Sequence, residues 1–292
     1  MRQRPYAILV PWASEPPWAF IPRVKAASGS RTLLSAAKWI RTSVTVQGMN
    51  HGEMTMSTRR YFLMGLGSFA TGIVSVRADE LCAAFTKDAQ ADITSEQAIV
   101  RLKAGNERFV AGHPIHCNPQ MQVKATAGGQ APFAAVLGCM DSRTAPELVF
   151  DQRIGDLFAV RIAGNFVNTD ILGSLEYATQ VAGAKLIVVL GHSDCGAVKG
   201  AIDNVQLGNL TAALENIRPA VSEVTDAGGA RNSKNKKFVQ KVSERNITDA
   251  VSQLTTRSKI LAGLVSEHKL LMVGAMHDVS TGAVSWMGDQ VA

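Results

Sequence analysis

From Asp92 onward the chain moves between two kinds of hydrophobic pattern. Thr94-Ser95-Glu96-Gln97 has the form of a capping box, in which a hydroxyl and an amide three residues later satisfy each other's backbone donors at a helix start. Ile99, Leu102, Asn106, Phe109 and Val110 follow at near-helical spacing, and Gly112 and Pro114 stop the helix. Residues 117–131, with Asn118-Pro119 and Gly128-Gly129, predict a loop. Four short apolar runs come next, at 133–137, 157–162, 186–190 and 270–276; they are continuous rather than alternating, as in strands buried on both faces. Residues 170–183 and most of 205–265 read as helical, the latter interrupted by the polar stretch 227–237. A turn at Thr281-Gly282 leads into 283–287, an edge strand. Buried strands alternating with helices predict an α/β fold over about 92–292, a mostly parallel central β-sheet flanked by helices with an N-terminal helical arm.

Residues 1–78 follow neither pattern. Residues 1–53 are rich in Pro, Trp and Arg without a sustained period and predict no folded domain. Thr58-Arg59-Arg60-Tyr61-Phe62-Leu63 then opens an apolar run to Val76, broken by Gly65, Gly67 and Gly72. At about 15 residues the run is shorter than the roughly 20 of a membrane-spanning helix. It fits the apolar region of an export signal, with Val76-Arg77-Ala78 offering cleavage after Ala78. The paired arginines resemble a twin-arginine signal, which implies export by the twin-arginine machinery to the periplasm. Residues 79–91, with Cys82, then read as a mobile linker. An amphipathic or membrane-anchoring helix is the other reading of the run, and Met49, Met54 and Met56 are alternative starts.

Charge changes one inference. The formal net charge of +6 invites a nucleic-acid partner, but residues 1–78 hold ten Lys/Arg and two Asp/Glu. The remainder has 20 Lys/Arg against 22 Asp/Glu, so no nucleic acid is expected on the folded part. With 46% hydrophobic and 18% charged residues, the composition is that of an ordinary globular protein.

Candidate chemistry gathers at strand ends. Cys139 closes one apolar run, and His192 and Cys195 follow another, where open α/β sheets bind ligands. Two sulfurs and one imidazole suit zinc, with a fourth position left for water or substrate. On composition alone, a disulfide or a buried structural cysteine pair explains Cys139 and Cys195 as well. Asp141 and Arg143 follow Cys139 at spacings that let the guanidinium hold the carboxylate. The sequence His113-Pro114-Ile115-His116-Cys117 has metal-like residues but reads as loop, His277-Asp278 as structural with a proton relay as the other role, and the lysines of 234–241 as a solvated face.

Cys139-Met140-Asp141-Ser142-Arg143 and His192-Ser193-Asp194-Cys195-Gly196 together resemble the zinc signature of the β-class carbonic anhydrases. The likeness extends over about 92–288 and includes Arg161-Ile162-Ala163-Gly164-Asn165 and the run Gly191 to Gly200. It implies one zinc per subunit on Cys139, His192 and Cys195, with Asp141 and Arg143 catalytic and Asp141 an alternative fourth ligand. It implies reversible hydration of carbon dioxide to bicarbonate, in a pocket shared across the interface of a homodimer or higher oligomer. Gln130, Phe158 and Tyr177 fall at the offsets of the pocket residues in one subclass, and the Gly196 N–H is a further bicarbonate contact. Another subclass carries a tryptophan where this chain has Val136, so its inhibitory bicarbonate site is not expected. Carbon disulfide and carbonyl sulfide hydrolases share the zinc motif and give the alternative activity; a non-catalytic zinc module is the other, and a thiol–disulfide protein lacks its Cys-x-x-Cys.

Two thiolates would offset the charge of a divalent metal and leave it acidifying water less than a three-imidazole set does. Activity is therefore expected to rise toward alkaline pH. A pH–rate profile measures this, and one already flat from pH 6 upward would contradict it.

Overall fold

Residues 82–287 are described by the computed structural model; the twin-arginine motif at 58–63, the cleavage position after Ala78 and residues 79–81 of the expected linker lie outside the described residues. Two capped helices, α1 (Lys87–Asp92) and α2 (Ser95–Val110), form the arm, and α3 (Pro119–Thr126) follows. The sheet then alternates with helices: β1 (Ala134–Cys139), α4 (Pro146–Val149), β2 (Leu157–Ile162), α5 (Thr169–Glu176) and β3 (Leu186–His192). A π-helical turn, Tyr177–Val181, extends α5. After β3 come α6 (Gly196–Ile202), α7 (Gly208–Glu215), α8 (Arg218–Glu223), α9 (Lys236–Arg257) and α10 (Lys259–Ser266), then β4 (Leu271–His277) and β5 (Val284–Met287). The strand order is β2-β1-β3-β4-β5, parallel throughout except for β5, which runs antiparallel to β4. This is the mostly parallel sheet that the apolar runs predict.

The period-two geometry of each strand divides its side chains between two cores. Ala135, Leu137, Ile187, Val189 and Met272 meet Leu172 and Leu175 of α5, Ile247, Val251 and Leu254 of α9, and Leu261 of α10. Ala134, Val136, Leu186, Val188, Leu190 and Ala275 face the other way, onto Ala98 and Leu102 of α2 and onto Phe133 and Phe150. Burial on both faces is why the runs of β1 and β3 carry no polar alternation. The capping box of α2 forms as expected, with Thr94 and Gln97 each bonded to the other's backbone N–H. Asn106, spaced with the apolar positions of α2, is buried because it cross-links: its amide donates to the carbonyls of Val149 and Gly282, and its oxygen accepts from the Val284 N–H.

Two expectations are corrected. The loop predicted over 117–131 contains α3, because Asn118 caps the N–H groups of Gln120 and Met121 and Pro119 starts the helix without losing a needed donor. The second concerns residues 82–91, expected to be a mobile linker with Cys82 in a free tail. Cys82 is instead disulfide-bonded to Cys117, 35 residues on. Closing a loop of that length stabilises the native state by about 3–4 kcal/mol in the chain-entropy account. The segment is fastened further by an Arg153 hydrogen bond to the Ala83 carbonyl and by the buried Gln90, which donates to the carbonyls of Pro132 and Ala182. His113 and His116 are exposed and enter no metal-ligating cluster among the described residues. The lysines at 234, 236 and 237 are exposed at the start of α9, and Lys241 pairs with Asp226, as a solvated face predicts.

Candidate metal centre

In a parallel pair, residues in register reach the same edge of the sheet together. Ala134 of β1 pairs with Leu186 of β3 and Gly138 with Leu190, so Cys139 and His192 emerge side by side at the carboxyl ends. Asp194 adopts φ +59°, turning the chain so that Cys195, the N-cap of α6, comes back to the same point. The donor atoms of Cys139, His192 and Cys195 all lie within 4.8 Å of one another, and all three residues are buried.

The donor set fits a metal. The two sulfurs are 3.9 Å apart, far beyond the roughly 2.05 Å of a disulfide. His192 Nδ1 lies 2.9 Å from the Ser193 carbonyl, which can only accept, so Nδ1 carries the proton and Nε2 presents a lone pair. Nε2 is buried with no hydrogen-bond partner, a costly state unless something else takes the lone pair. Within the pair, the Cys139 thiol is shifted down by the hydrogen bond it accepts from Cys195, against the cost of burial, with His192 and the Gly164 N–H contributing. Cys195 is shifted up because it supplies that proton and is itself buried.

Asp141 stands beside the cluster, with Oδ2 3.9 Å from His192 Nε2. Arg143 grips it twice: Nε donates to Oδ1 at 2.9 Å and one terminal nitrogen to Oδ2 at 2.8 Å, with the Arg143 N–H adding a third bond to Oδ1. This bidentate contact holds the Asp141 carboxyl well below the usual carboxylate range, so it is an acceptor at any ordinary pH.

The loop carrying Cys139 and Asp141 is clamped by residues that the spacing argument left without a role. Arg161 of β2 donates to the Cys139 carbonyl at 3.0 Å and to the Asp141 carbonyl at 2.5 Å. Thr144 also donates to the Asp141 carbonyl. Gly164 brings its N–H to within 3.3 Å of Cys139 Sγ, at φ +83°. At that φ a side chain is strained, and a Cβ would also lie 2.4 Å from Ile217 Cδ1, so the position favours glycine. Asn246 of α9, buried, holds the Gly164 carbonyl at 2.9 Å. Contacts to backbone atoms leave no periodic signature, which is why the sequence marks Arg161 and Gly164 only through the family likeness, without a role, and does not mark Thr144 or Asn246 at all.

The remaining expected site residues divide. Gly196 opens α6 directly after Cys195. His277, in register with His192, is 2% exposed with neither ring nitrogen partnered, and burial followed by the neighbouring His192 shifts it toward the neutral form. Gln130, Phe158 and Tyr177 are elsewhere. Phe158 pairs with Ala135 while Ile162 pairs with Cys139, so Phe158 is four residues, about 13 Å, back along the strand from the metal end. Its ring meets Tyr177 edge-on at 6.2 Å in an open groove of ≈ 880 Å³ on the outer side of β2. Gln130 is exposed in the loop leading into β1. Within one chain these three do not join the metal cluster.

Residues 134–284 match the family model described as carbonic anhydrase. Carbonic anhydrase 2 of Mycobacterium tuberculosis is 39% identical over 184 residues, covering 62% of this chain and 87% of the relative. A carbonic anhydrase of Mycolicibacterium smegmatis is 37% identical over 197 residues, covering 64% and 92%. Among solved structures, a tetrameric β-carbonic anhydrase of Sordaria macrospora aligns with TM-score 0.51 at 26% identity, over 65% of this chain and 98% of that one. The β-carbonic anhydrase CafA of Aspergillus fumigatus aligns with TM-score 0.53 at 23% identity, over 66% and 90%, and shows the same fold. With a matching family model from β1 through β4, and the cysteine–histidine–cysteine cluster at the carboxyl edge of the sheet, the chain belongs to the β-class carbonic anhydrase family.

Proposed function

We propose that this protein catalyses the reversible hydration of carbon dioxide to bicarbonate and a proton, with zinc held by Cys139, His192 and Cys195. The observation that carries the reading is the combination of an open three-donor cluster with the Asp141–Arg143 pair beside it. A purely structural zinc site uses four closed ligands and has no need of such a pair.

Zinc, when bound, supplies a Lewis acid that makes hydroxide available from water near neutral pH. The protein's own residues do the rest. Asp141, locked in its ionised form, accepts a hydrogen bond from the attacking oxygen and aims its lone pair at the carbon of the substrate. Arg143 occupies both Asp141 oxygens and so keeps the carboxylate beside the cluster rather than in it as a fourth ligand. Arg161 and Thr144 hold the carbonyls on either side of that carboxylate, and the geometry is preorganised. The Gly196 N–H is the proposed contact for a bicarbonate oxygen.

A nonpolar substrate calls for an apolar wall, and the expected wall residues Phe158 and Tyr177 lie away from the cluster within one chain. We place that wall on a second copy. β2 is an edge strand that carries the half-buried Phe158 against the exposed Tyr177. Antiparallel pairing of two β2 edges about a twofold axis through their middle would bring the first residues of one strand opposite the last of the other. The partner subunit's Gln130, Phe158 and Tyr177 would then line the pocket over Cys139 and Asp141. A homodimer is the minimum unit of this reading.

Export is part of the proposal. The twin-arginine pattern at 58–63 supports it. So does the Cys82–Cys117 disulfide, a bond that persists in oxidising compartments. A route that carries folded protein would let Cys139 and Cys195 take up zinc before meeting an oxidant, while the arm cysteines pair afterwards. Peptide mapping of the protein recovered from the periplasm should find a chain starting near Ala78 and a Cys82–Cys117 crosslink. Recovery of the full-length chain with all four thiols free would count against export.

The activity itself is tested by zinc content and stopped-flow hydration of carbon dioxide in the wild type, Cys139→Ser and Asp141→Ala. The wild type should hold about one zinc per chain and hydrate carbon dioxide rapidly. Cys139→Ser should lose both metal and activity. Asp141→Ala should keep the metal and lose roughly 10²–10⁴-fold in rate, the usual worth of a group that handles a proton in the transition state. A zinc-loaded wild type without hydration activity would overturn the reading, and turnover of carbon disulfide by that protein would move it to the hydrolase alternative.

A further inference from the structure

Ser193 stands directly after one metal-binding residue and two before the other, and three of its polar groups are engaged. Its N–H donates to the His277 carbonyl at 2.9 Å, the last link between β3 and β4. Its carbonyl accepts from His192 Nδ1 at 2.9 Å. Its hydroxyl accepts from the Val279 N–H at 3.0 Å, in the turn after β4. That turn is built by Asp278, whose Oδ1 accepts the N–H groups of Ser280 and Thr281 and the Ser280 hydroxyl, and whose own N–H donates to the Ala283 carbonyl.

The two backbone contacts of Ser193 are open to any residue at that position; only the hydroxyl contact depends on its being serine. Without an acceptor there, the Val279 N–H loses its partner and Ser193 is anchored to the β4 side only through its own N–H. The orientation of the Ser193 Cα, which carries both the tethered side chain and the carbonyl carbon, sets the direction of that carbonyl. The carbonyl in turn sets both the tautomer of His192 and the angle at which Nε2 enters the cluster, since a ligating histidine is oriented through the bond its other nitrogen makes.

We infer that Ser193 is a positioning residue for the metal: its hydroxyl, tethered to the 278–283 turn, fixes the Ser193 carbonyl and through it the aim of His192 Nε2. The inference rests on the zinc reading above and extends it to a strand that supplies no ligand. The turn after β4 thereby becomes part of the metal site.

Ser193→Thr and Ser193→Val test it, because the two side chains have nearly the same shape and only threonine keeps the acceptor. The readouts are the zinc dissociation constant by chelator competition and the visible spectrum of the cobalt-substituted protein. The threonine variant should match the wild type in both. The valine variant should bind zinc about 10–100-fold more weakly, the usual effect of removing a group that orients a ligand, with displaced cobalt bands. Cys82→Ser, which opens the arm disulfide, serves as a control for general loss of stability and should leave both readouts unchanged. If Ser193→Val fails to fold, Asp278→Ala loosens the turn without altering Ser193 and should shift both readouts the same way. A wild-type dissociation constant and spectrum in the valine variant overturns the inference while leaving the zinc reading intact, as does an equal loss of zinc affinity in Cys82→Ser. A wild type that binds no zinc removes both.

Discussion

The parallel register of β1 against β3 is the constraint on which the site depends. Because Gly138 and Leu190 are paired, Cys139 and His192 leave adjacent strands within one residue of the same level, and a one-residue slip would turn each inward-facing side chain to the opposite face. The register is held by burial on both sides of the sheet: Ala135, Leu137, Ile187 and Val189 belong to one core, Ala134, Val136, Leu186 and Val188 to the other. Apolar packing thus does chemical work at a distance, by deciding where two donors emerge. The third donor needs only a tight turn, supplied by Asp194 in a left-handed conformation.

Much of this was legible in the residues. Continuous apolar runs located the strands to within two residues; in β1 and β3, covered on both faces, no polar position blurs the run. Thr94 and Gln97 announced α2 by a reciprocal cap that depends on local chemistry alone. The ligand trio was legible as residue types at strand ends, and the family resemblance raised it above a disulfide or a buried pair. Three things were not legible. The Asn118-Pro119 pair reads equally as a loop or as a cap followed by a first-turn proline, and α3 resolves it as the latter. The Cys82–Cys117 bond joins residues whose proximity depends on how the arm packs, which no local pattern encodes. Arg161 and Asn246 act on backbone atoms of other segments, so their roles exist only once the chain is folded.

The four cysteines of the described region show how placement assigns chemistry. Cys82 and Cys117 lie on the arm and bond to each other; Cys139 and Cys195 lie at the sheet edge, 3.9 Å apart, and remain thiols. The pair at the sheet edge is held by other contacts: the Gly164 N–H meets Cys139 Sγ, and Cys195, shifted up by its bond to Cys139 and by burial, has the N–H groups of Val198 and Ala197 acting against that shift. A similar division separates the chemical residues from the pocket residues, since Asp141 and Arg143 adjoin the cluster while Phe158 and Tyr177 lie at the far end of β2. The proposed pocket, assembled from two copies, would reunite them.

The central claim is a zinc site with two sulfur donors, one imidazole and one open position. X-ray absorption at the zinc edge of the purified protein tests it most directly. The account predicts two sulfurs at about 2.3 Å and two lighter donors at about 2.0–2.1 Å, one with the scattering pattern of an imidazole. Four sulfur neighbours, or no sulfur in the first shell, would contradict it.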